Sequence, residues 1–212
     1  MLDFVHKTLY NSFIRLKMIC RLENPMKTVI ITDGKYRSSI AAVRALGRAG
    51  FRVVITQTKA DVKTAPPVFF SKYVDECIWI EGSCQDSEYS KRLQHLCEGY
   101  KNGGIRPVLF CVGAVTLNMV SRERENFGEV CDFLISPQEV LDALNDKAMI
   151  HSRAEELNMP VPKEFESVPD RWPVVIKPHC GEKFGLTARE RYLIAQNVDE
   201  YYAGIAKLSP YD

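Results

Sequence analysis

The sequence contains no long hydrophobic segment and has almost no net charge. No stretch approaches the roughly 18 apolar residues that a membrane-spanning helix needs. Lysine and arginine total 28 against 27 aspartate and glutamate residues, which leaves a formal net charge of +1. A nucleic-acid-binding protein is typically strongly basic, and this composition does not support one. Hydrophobic residues make up 46% of the chain, enough for a proper core. We therefore expect a globular protein with no membrane span and no nucleic-acid partner.

The cysteines lack the spacing of a disulfide framework or of a metal site. Their number is odd, and no two of them form a Cys-x-x-Cys pair. The spacing of His and Cys fits no zinc-ligand pattern. Reduced thiols in a cytoplasmic protein are the expectation that follows. The seven cysteines are Cys20, Cys77, Cys84, Cys97, Cys111, Cys131 and Cys180.

The sequence also lacks the glycine motifs of common nucleotide-binding loops. Residues 32–39, TDGKYRSS, follow the first predicted strand without a G-x-G-x-x-G pattern, and no Walker A pattern occurs. The βαβ start is therefore the only feature of the sequence that favours a nicotinamide-dependent oxidoreductase. Lys35, Arg37 and Ser38 lie at a helix start, where they could bind a substrate carboxylate together with the helix N-terminus. A solvated turn is the alternative. Thr116 and Arg122 near the fourth strand could likewise bind a substrate carboxylate, with a structural role as the alternative.

What is present is a regular alternation of strands and helices between residues 26 and 135. Apolar runs predict strands at 28–32, 51–56, 73–80, 107–112 and 132–135. Helical periodicity separates them at 38–48, 87–100 and 114–126. Strand, helix and strand in this order predict a parallel sheet and an α/β domain at 26–135. Ligands of such sheets meet the loops at the carboxyl ends of the strands.

The first 25 residues differ from this pattern. Six apolar residues fall at helical spacing among basic residues: Leu2, Val5, Leu9, Phe13, Leu16 and Ile19. A helical extension over residues 1–25 is predicted, and a basic amphipathic helix can lie on a membrane surface. The alternative is that translation begins at Met26, which makes residues 1–25 extraneous.

The periodicity changes after residue 135, so we place a second domain at 136–212. SPQEV (136–140) has the pattern of a helix start, with Ser136 as N-cap and Glu139 completing a capping box. Asn145-Asp146 interrupts this helix or caps a second one. We then expect strands at 163–168 and 173–177 to pair as an antiparallel hairpin. A short strand and a helix at 199–208 follow.

The predicted strand PVVIK (173–177) ends in a cation. Val174 and Ile176 point to one face, while Val175 and Lys177 point to the other. Pro178 ends the sheet pairing, and the loop after it contains two glycines and a further lysine. Free N–H groups in such a loop can hold phosphate. One interpretation is that Lys177 contacts an anion at the mouth of a cleft. The alternative is that Lys177 reaches water from the end of the strand.

Two motifs in this order resemble the ATP-grasp ligase superfamily. NDKAMIHSRAEELNMPVP (145–162) is similar to the family's helix with an Asn-Asp-Lys start and an extended turn with two prolines. PVVIKPHCGEKFG (173–185) resembles the Val-(Ile/Val)-Lys-Pro strand and the mobile glycine-rich loop that follows. The preceding α/β block is similar to the domain before ATP-grasp in carboxylate–amine ligases and in the large subunit of carbamoyl-phosphate synthase.

The resemblance implies a fold and a reaction. The fold is a pre-ATP-grasp, Rossmann-like parallel-sheet domain followed by the first lobe of ATP-grasp, which is α+β. Lys177 and Lys147 match lysines that approach the ATP phosphates, and Gly181, Lys183 and Gly185 fall in the loop that closes over them. ATP phosphorylates a carboxylate substrate to an acyl-phosphate, which an amine substrate attacks to form a C–N bond. This chemistry uses ATP and Mg²⁺ and depends mainly on positioning and charge.

The sequence departs from the family in two respects. The loop HCGEKFG (179–185) has few glycines and carries Glu182 where phosphate is expected. The second lobe, with its Mg²⁺ ligands, does not follow. The chain is therefore expected to be a fragment or one half of a split enzyme, inactive alone and completed by a missing lobe or a second chain. A non-catalytic ATP-binding or partner module is the competing hypothesis. Ligases of this kind often form homodimers.

Overall fold

The computed structural model describes residues 27–165, 167–178 and 192–211. The chain divides into two compact units between Gln138 and Glu139. The helical extension predicted at 1–25 lies outside the described residues. Within the described ranges, no helix is both long enough and apolar enough to cross a membrane.

The first unit is built on a five-stranded parallel sheet. Its strands are β1 (Thr28–Ile31), β2 (Arg52–Thr58), β3 (Glu76–Ile80), β4 (Val108–Phe110) and β5 (Asp132–Phe133). They lie in the order β3-β2-β1-β4-β5, and every neighbouring pair is parallel. In the centre of the sheet, Ile30 pairs with Val54 on one side and Leu109 on the other. This arrangement confirms the predicted α/β fold with a parallel sheet.

Helices cover both faces of this sheet. They are α1 (Arg37–Arg48), α2 (Tyr89–Asn102), α3 (Ala114–Arg122) and α4 (Arg124–Val130), with 3₁₀ turns at Lys59–Asp61 and Pro67–Phe70. Helix α1 packs through Val43 on the face that carries Val29 and Val53. Helices α2, α3 and α4 pack on the other face, around Ile30 and Leu109. Because both faces are buried, β1 contains Val29, Ile30 and Ile31 in succession, and β2 contains Val53, Val54 and Ile55.

Two predicted elements of this unit differ from the structure. Strand β3 begins at Glu76 instead of residue 73, because Val74 N donates to Ser71 O in a preceding turn. The helix predicted over 114–126 is two helices that meet at Glu123, where the backbone leaves helical geometry with φ −101° and ψ 30°. The Glu123 carboxylate accepts hydrogen bonds from Ser90 and Gln94, which tie this junction to α2.

The second unit combines helices with a small sheet. Its described elements are α5 (Gln138–Asn145), α6 (Lys147–Glu156), β6 (Val174–Ile176), β7 (Leu193–Ala195), α7 (Val198–Leu208) and a 3₁₀ turn at Ser209–Tyr211. The Asp146 carboxylate caps α6, because it accepts a hydrogen bond from Met149 N at 3.0 Å. The predicted break at Asn145-Asp146 and the predicted last helix are therefore confirmed.

The predicted hairpin has the wrong partner strand. Strand β6 pairs antiparallel with β7, so that Val174 lies opposite Ala195. Residues 163–165 are irregular instead of extended into a ladder. Phe165, whose apolar side chain favoured a strand there, packs against the core between the sheet and α7, beside Trp172 and Tyr201. Its hydrophobicity reflects this packing and not sheet pairing.

Candidate functional site

The strand order of the first unit reverses between β1 and β4. In open parallel sheets, ligands bind beyond the carboxyl ends of the strands at such a reversal. The two loops that meet here begin at Thr32, after β1, and at Cys111, after β4. This is the edge where Lys35, Arg37 and Ser38 are predicted to bind a substrate.

Asp33 places an internal carboxylate at this point. Its side chain is buried, and its backbone has a positive φ of 60°. Its Oδ2 accepts a hydrogen bond from Gly113 N at 2.9 Å, and its Oδ1 accepts one from Thr116 Oγ1 at 3.0 Å. Thr32 Oγ1 is a third donor. The carboxylate lies at the N-terminus of α3, where the helix dipole favours a negative charge.

Gly113 N and Thr116 Oγ1 both donate hydrogen bonds to the Asp33 carboxylate. A Cβ atom on Gly113 would lie 2.8 Å from Asp33 Cγ, which is too close for any other residue. Thr116 is fully buried. A role for Thr116 in binding a substrate carboxylate is therefore wrong, because its hydroxyl already donates to Asp33.

A second carboxylate, Asp61, ties the neighbouring loops together. Its Oδ1 accepts from Ser83 Oγ at 2.7 Å and its Oδ2 accepts from Cys84 N at 3.0 Å, with Thr58 Oγ1 as a further donor. Burial alone would raise the pKa of Asp61. The hydrogen bonds from Thr58, Cys84 and Ser83 outweigh burial and hold this pKa well below its usual range.

Lys35 has partners within the chain, whereas none is described for the side chains of Arg37 and Ser38. Lys35 Nζ lies 3.7 Å from Asp61 Oδ2, and Lys35 N donates to Gln57 Oε1 at 2.8 Å. Arg37 and Ser38 are exposed in the first turn of α1, where no described residue pairs with their side chains. Their binding of a substrate carboxylate stays a prediction.

Sequence reasoning missed the polar residues that organise this edge, namely Asp33, Asp61 and Gln57. The Asp33-Gly34 pair predicts a turn but does not reveal that the Asp33 carboxylate is buried. Gln57 offers a clearer signal, since it is a polar residue inside the buried strand β2 and is 1% exposed. A buried polar side chain needs hydrogen-bond partners, so its position indicates a network.

Four of the described thiols have a raised pKa. Burial raises the pKa of Cys84 to about 12, and it also raises the pKa of Cys77 and Cys111. A hydrogen bond with Cys131 is the main cause that raises the pKa of Cys97. Reactive cysteines need a lowered pKa, so these four do not support nucleophilic catalysis. Within the described ranges, no group of three His, Cys, Asp or Glu side chains could hold a metal ion.

The small sheet of the second unit has one buried face and one exposed face. Val174 and Ile176 are buried against the core that includes Leu208 of α7. Val175 and Ile194, which lie opposite each other in the register, are 57% and 53% exposed. The exposed face therefore presents two large aliphatic side chains side by side, without cover from the described part of this unit.

Lys177 lies at one end of this exposed face. It follows β6 directly and is exposed, as the alternation with the buried Ile176 predicts. No described residue forms an ion pair with it. Because Ile176 pairs with Leu193, Tyr192 lies at the same end of the sheet, and its side chain is 46% exposed.

We name this surface the outer hairpin face and define it by Val175, Lys177, Tyr192 and Ile194. Its aliphatic pair offers a contact for a flat apolar ring. Its cation, which has no described carboxylate partner, offers a contact for an anion. Together these features fit a heteroaromatic ligand that carries phosphate.

For the other residues predicted to bind ATP, the structure describes few contacts or none. Lys147 is the first residue of α6, directly after the N-cap Asp146. Gly181, Lys183 and Gly185 lie outside the described residues. Contacts of these four residues with ATP phosphates stay predictions.

Comparison with known proteins finds likeness in structure and not in sequence. No protein-family model and no curated protein matches the chain. A biotin carboxylase domain of a thermophilic 2-oxoglutarate carboxylase, solved with bound ADP, matches 86% of this chain at 14% identity and a TM-score of 0.45. The biotin carboxylase subunit of a pyruvate carboxylase matches 88% at 15% identity and a TM-score of 0.45. Rhizobium etli pyruvate carboxylase matches 84% at 13% identity and a TM-score of 0.47.

These matches cover 40%, 41% and 16% of the three neighbouring chains, in the same order. The chain thus spans less than half the length of the proteins that it resembles, and the low identities assign it to no family.

Proposed function

We propose that this chain supplies the first nucleotide-binding lobe of an ATP-dependent carboxylate–amine ligase of the ATP-grasp kind. The observation that carries the proposal is the outer hairpin face, where an exposed aliphatic pair ends at a lysine with no described carboxylate partner. The order of the two motifs at 145–162 and 173–185 supports the same conclusion.

In this proposal, the two ends of the outer hairpin face hold different parts of ATP. Val175 and Ile194 contact the adenine ring, because transfer of apolar surface out of water favours a flat aromatic partner. Lys177 contacts the phosphates, where it balances part of their charge. Further phosphate contacts come from the helix start and from the glycine-containing loop, through Lys147, Gly181, Lys183 and Gly185.

The proposed reaction transfers the γ-phosphoryl group of ATP to an oxygen of a carboxylate and releases ADP. An amine then attacks the acyl carbon, phosphate leaves, and a C–N bond forms. The contribution of this chain is to hold the triphosphate in place and to offset its charge. The described residues offer no Mg²⁺ site. We propose that its ligands come from a second lobe, in a longer protein or in another chain. A cytoplasmic location, where ATP is supplied and thiols stay reduced, belongs to the same proposal.

Titration with ATP, ADP and AMP tests the nucleotide site. Lys177→Met should weaken ATP and ADP binding roughly 10- to 100-fold, because a charge-assisted contact with phosphate is lost. It should change AMP binding by less than about threefold, if Lys177 reaches beyond the α-phosphate. Lys207→Met is the matched control, since Lys207 is an exposed lysine on α7 of the same unit. Equal losses in both variants would contradict the assignment of Lys177.

A non-catalytic ATP-binding or partner module is the second candidate. Reconstitution with the second lobe separates the two functions. If Lys177→Met abolishes turnover while the fold is retained, the ligase is supported. If nucleotide binds but no carboxylate and amine give ADP and phosphate, the module is supported.

A further inference from the structure

Positive charge is concentrated in the first quarter of the chain. Residues 1–52 contain ten Lys and Arg against three Asp and Glu, whereas residues 53–212 contain 18 against 24. The near-zero net charge therefore hides a basic part of about +7 and an acidic part of about −6. Such an asymmetry is typical of proteins that bind an anionic surface.

Helix α1 collects part of this charge on its outer side. Val43 is buried against the sheet, while Arg37, Arg44 and Arg48 are exposed. These arginines are spaced by seven and four residues, so they follow one side of the helix over about 16 Å. No acidic residue occurs between Gly34 and Phe51. We name Arg37, Arg44, Arg48 and the adjacent Lys72 the basic stripe.

Two of these cations contact the same aromatic ring, that of Tyr73. Arg48 Cζ lies 5.7 Å and Lys72 Nζ lies 5.2 Å from the centre of the Tyr73 ring. Arg48 Nε also donates to Tyr73 Oη at 3.3 Å. Among the described residues, no carboxylate forms an ion pair with any member of the stripe. Arg52 and Lys35 are different, since Glu76 and Asp61 pair with them.

We propose that the basic stripe of α1 docks on an anionic lipid surface. Charge complementarity is the first reason, because a row of exposed arginines without carboxylate partners fits a plane of acidic headgroups. The sequence before β1 is the second reason. Residues 1–25 combine apolar residues at helical spacing with basic residues, which is typical of segments that lie in a membrane interface.

The C-terminal end of α1 lies near the start of the described chain. Arg52 N donates to Lys27 O at 3.2 Å, which places the start of the described chain at the amino edge of the sheet. Helix α1 ends near this edge, because it returns the chain from β1 to the start of β2.

A lipid surface fits these features better than a nucleic acid does. The three arginines of the stripe lie on the exposed side of α1, whose other side packs on its own sheet through Val43. The apolar spacing of residues 1–25 has no use on a phosphate backbone but is useful in a bilayer interface. The acidic remainder of the chain repels the anionic surface only weakly, since charges more than about 10 Å away are screened at 0.1 M salt.

Co-sedimentation of the full chain with vesicles tests this proposal. The probes are phosphatidylcholine vesicles with and without 30% phosphatidylserine, at about 0.1 M and 0.5 M salt. Wild type should partition into the anionic vesicles more strongly than into the neutral ones, and high salt should reduce the difference. Each cation near the surface contributes about fivefold, so Arg44→Gln with Arg48→Gln should lower partitioning about 25-fold. Adding Lys72→Gln should lower it further.

Lys101→Gln with Arg122→Gln is the matched control, because these exposed cations lie on α2 and α3, across the sheet. The control should lose at most about twofold if the location of the charge matters. Unchanged circular dichroism and thermal midpoints verify that the variants fold. The proposal is overturned if wild type does not prefer anionic vesicles, or if the control loses as much as the α1 variant. It is also overturned if the α1 variant binds like wild type, or if duplex DNA binds more tightly than vesicles at equal salt.

Discussion

There are two candidate ligand-binding sites: the carboxyl edge of the sheet in the first unit and the outer hairpin face in the second unit. They differ in whether their polar groups already have partners. Asp33 and Asp61 at the sheet edge each accept three hydrogen bonds from their own chain. Lys177 has no described carboxylate partner, and the aliphatic pair beside it is exposed. Groups with internal partners stabilise the fold, whereas groups without them are available to a ligand.

The largest effect that separates the two regions is expected from Asp33→Ala. This change leaves Gly113 N and the Thr116 hydroxyl buried without an acceptor, so it should lower the free energy of unfolding by about 2 to 4 kcal/mol. Trp79 is the one tryptophan of the first unit, and a Trp172→Phe background removes the other. Urea unfolding followed by Trp79 fluorescence then reports this unit.

Glu98→Ala is the control for Asp33→Ala, because Glu98 is exposed on α2 and should change stability by less than about 0.5 kcal/mol. A loss of ligand binding with unchanged stability in Asp33→Ala would mean that the Asp33 carboxylate serves a ligand instead of the fold.

The next effect concerns the aliphatic end of the outer hairpin face. Val175→Ser with Ile194→Ser should weaken ATP binding about tenfold, because apolar contact area is lost. Stability should change little, since both side chains are largely exposed. Val198→Ser with Ile205→Ser is the matched control on α7, where the two side chains are 42% and 41% exposed. The face is not the adenine site if both pairs behave alike in the ATP titration.

A pH dependence follows from Asp61. Its pKa is lowered in the folded state, so its contribution to stability is present above the unfolded pKa, near 4, and is lost as the pH falls below it. Unfolding of the first unit should therefore become easier between about pH 5 and pH 2. Asp61→Asn should flatten this slope and reduce stability at pH 7. A slope identical to that of wild type would show that the hydrogen bonds to Asp61 do not favour its ionised form.

The smallest effect is expected from Lys35→Met. Its ion pair with Asp61 has a separation of 3.7 Å and is partly exposed, so the loss should be about 0.3 to 0.5 kcal/mol in the same urea assay. If stability does not change but affinity for a carboxylate ligand is clearly lost, Lys35 binds the substrate as the sequence predicts.

Local signals made the α/β fold readable from the sequence. Strand and helix periods alternate in the first unit. In the second unit, the residue type of Asp146 indicates the start of α6. Contacts between distant residues were not readable. Gly113 is 80 residues from Asp33, and neither position reveals the other. The partner of β6 was missed for the same reason, because β7 begins only at Leu193 and its three residues carry little periodicity.

The candidate site was readable only in part. The alternation of Val174, Val175, Ile176 and Lys177 predicted which side chains share a face, and the burial pattern agrees with it. The exposed Ile194 could not be assigned to that face, since its strand pairing was unknown. At the sheet edge, Lys35 and Arg37 were predicted together because they are close in sequence, and the ion pair of Lys35 with Asp61 was not readable.

Photolabelling with 8-azido-ATP tests most directly that the outer hairpin face, and not the sheet edge, binds the nucleotide. The label should attach to a peptide that contains β6 or β7, excess ATP should prevent it, and Lys177→Met should reduce it. Labelling that maps to the loop after β1 or to α1, with the hairpin peptides unmodified, would contradict the assignment.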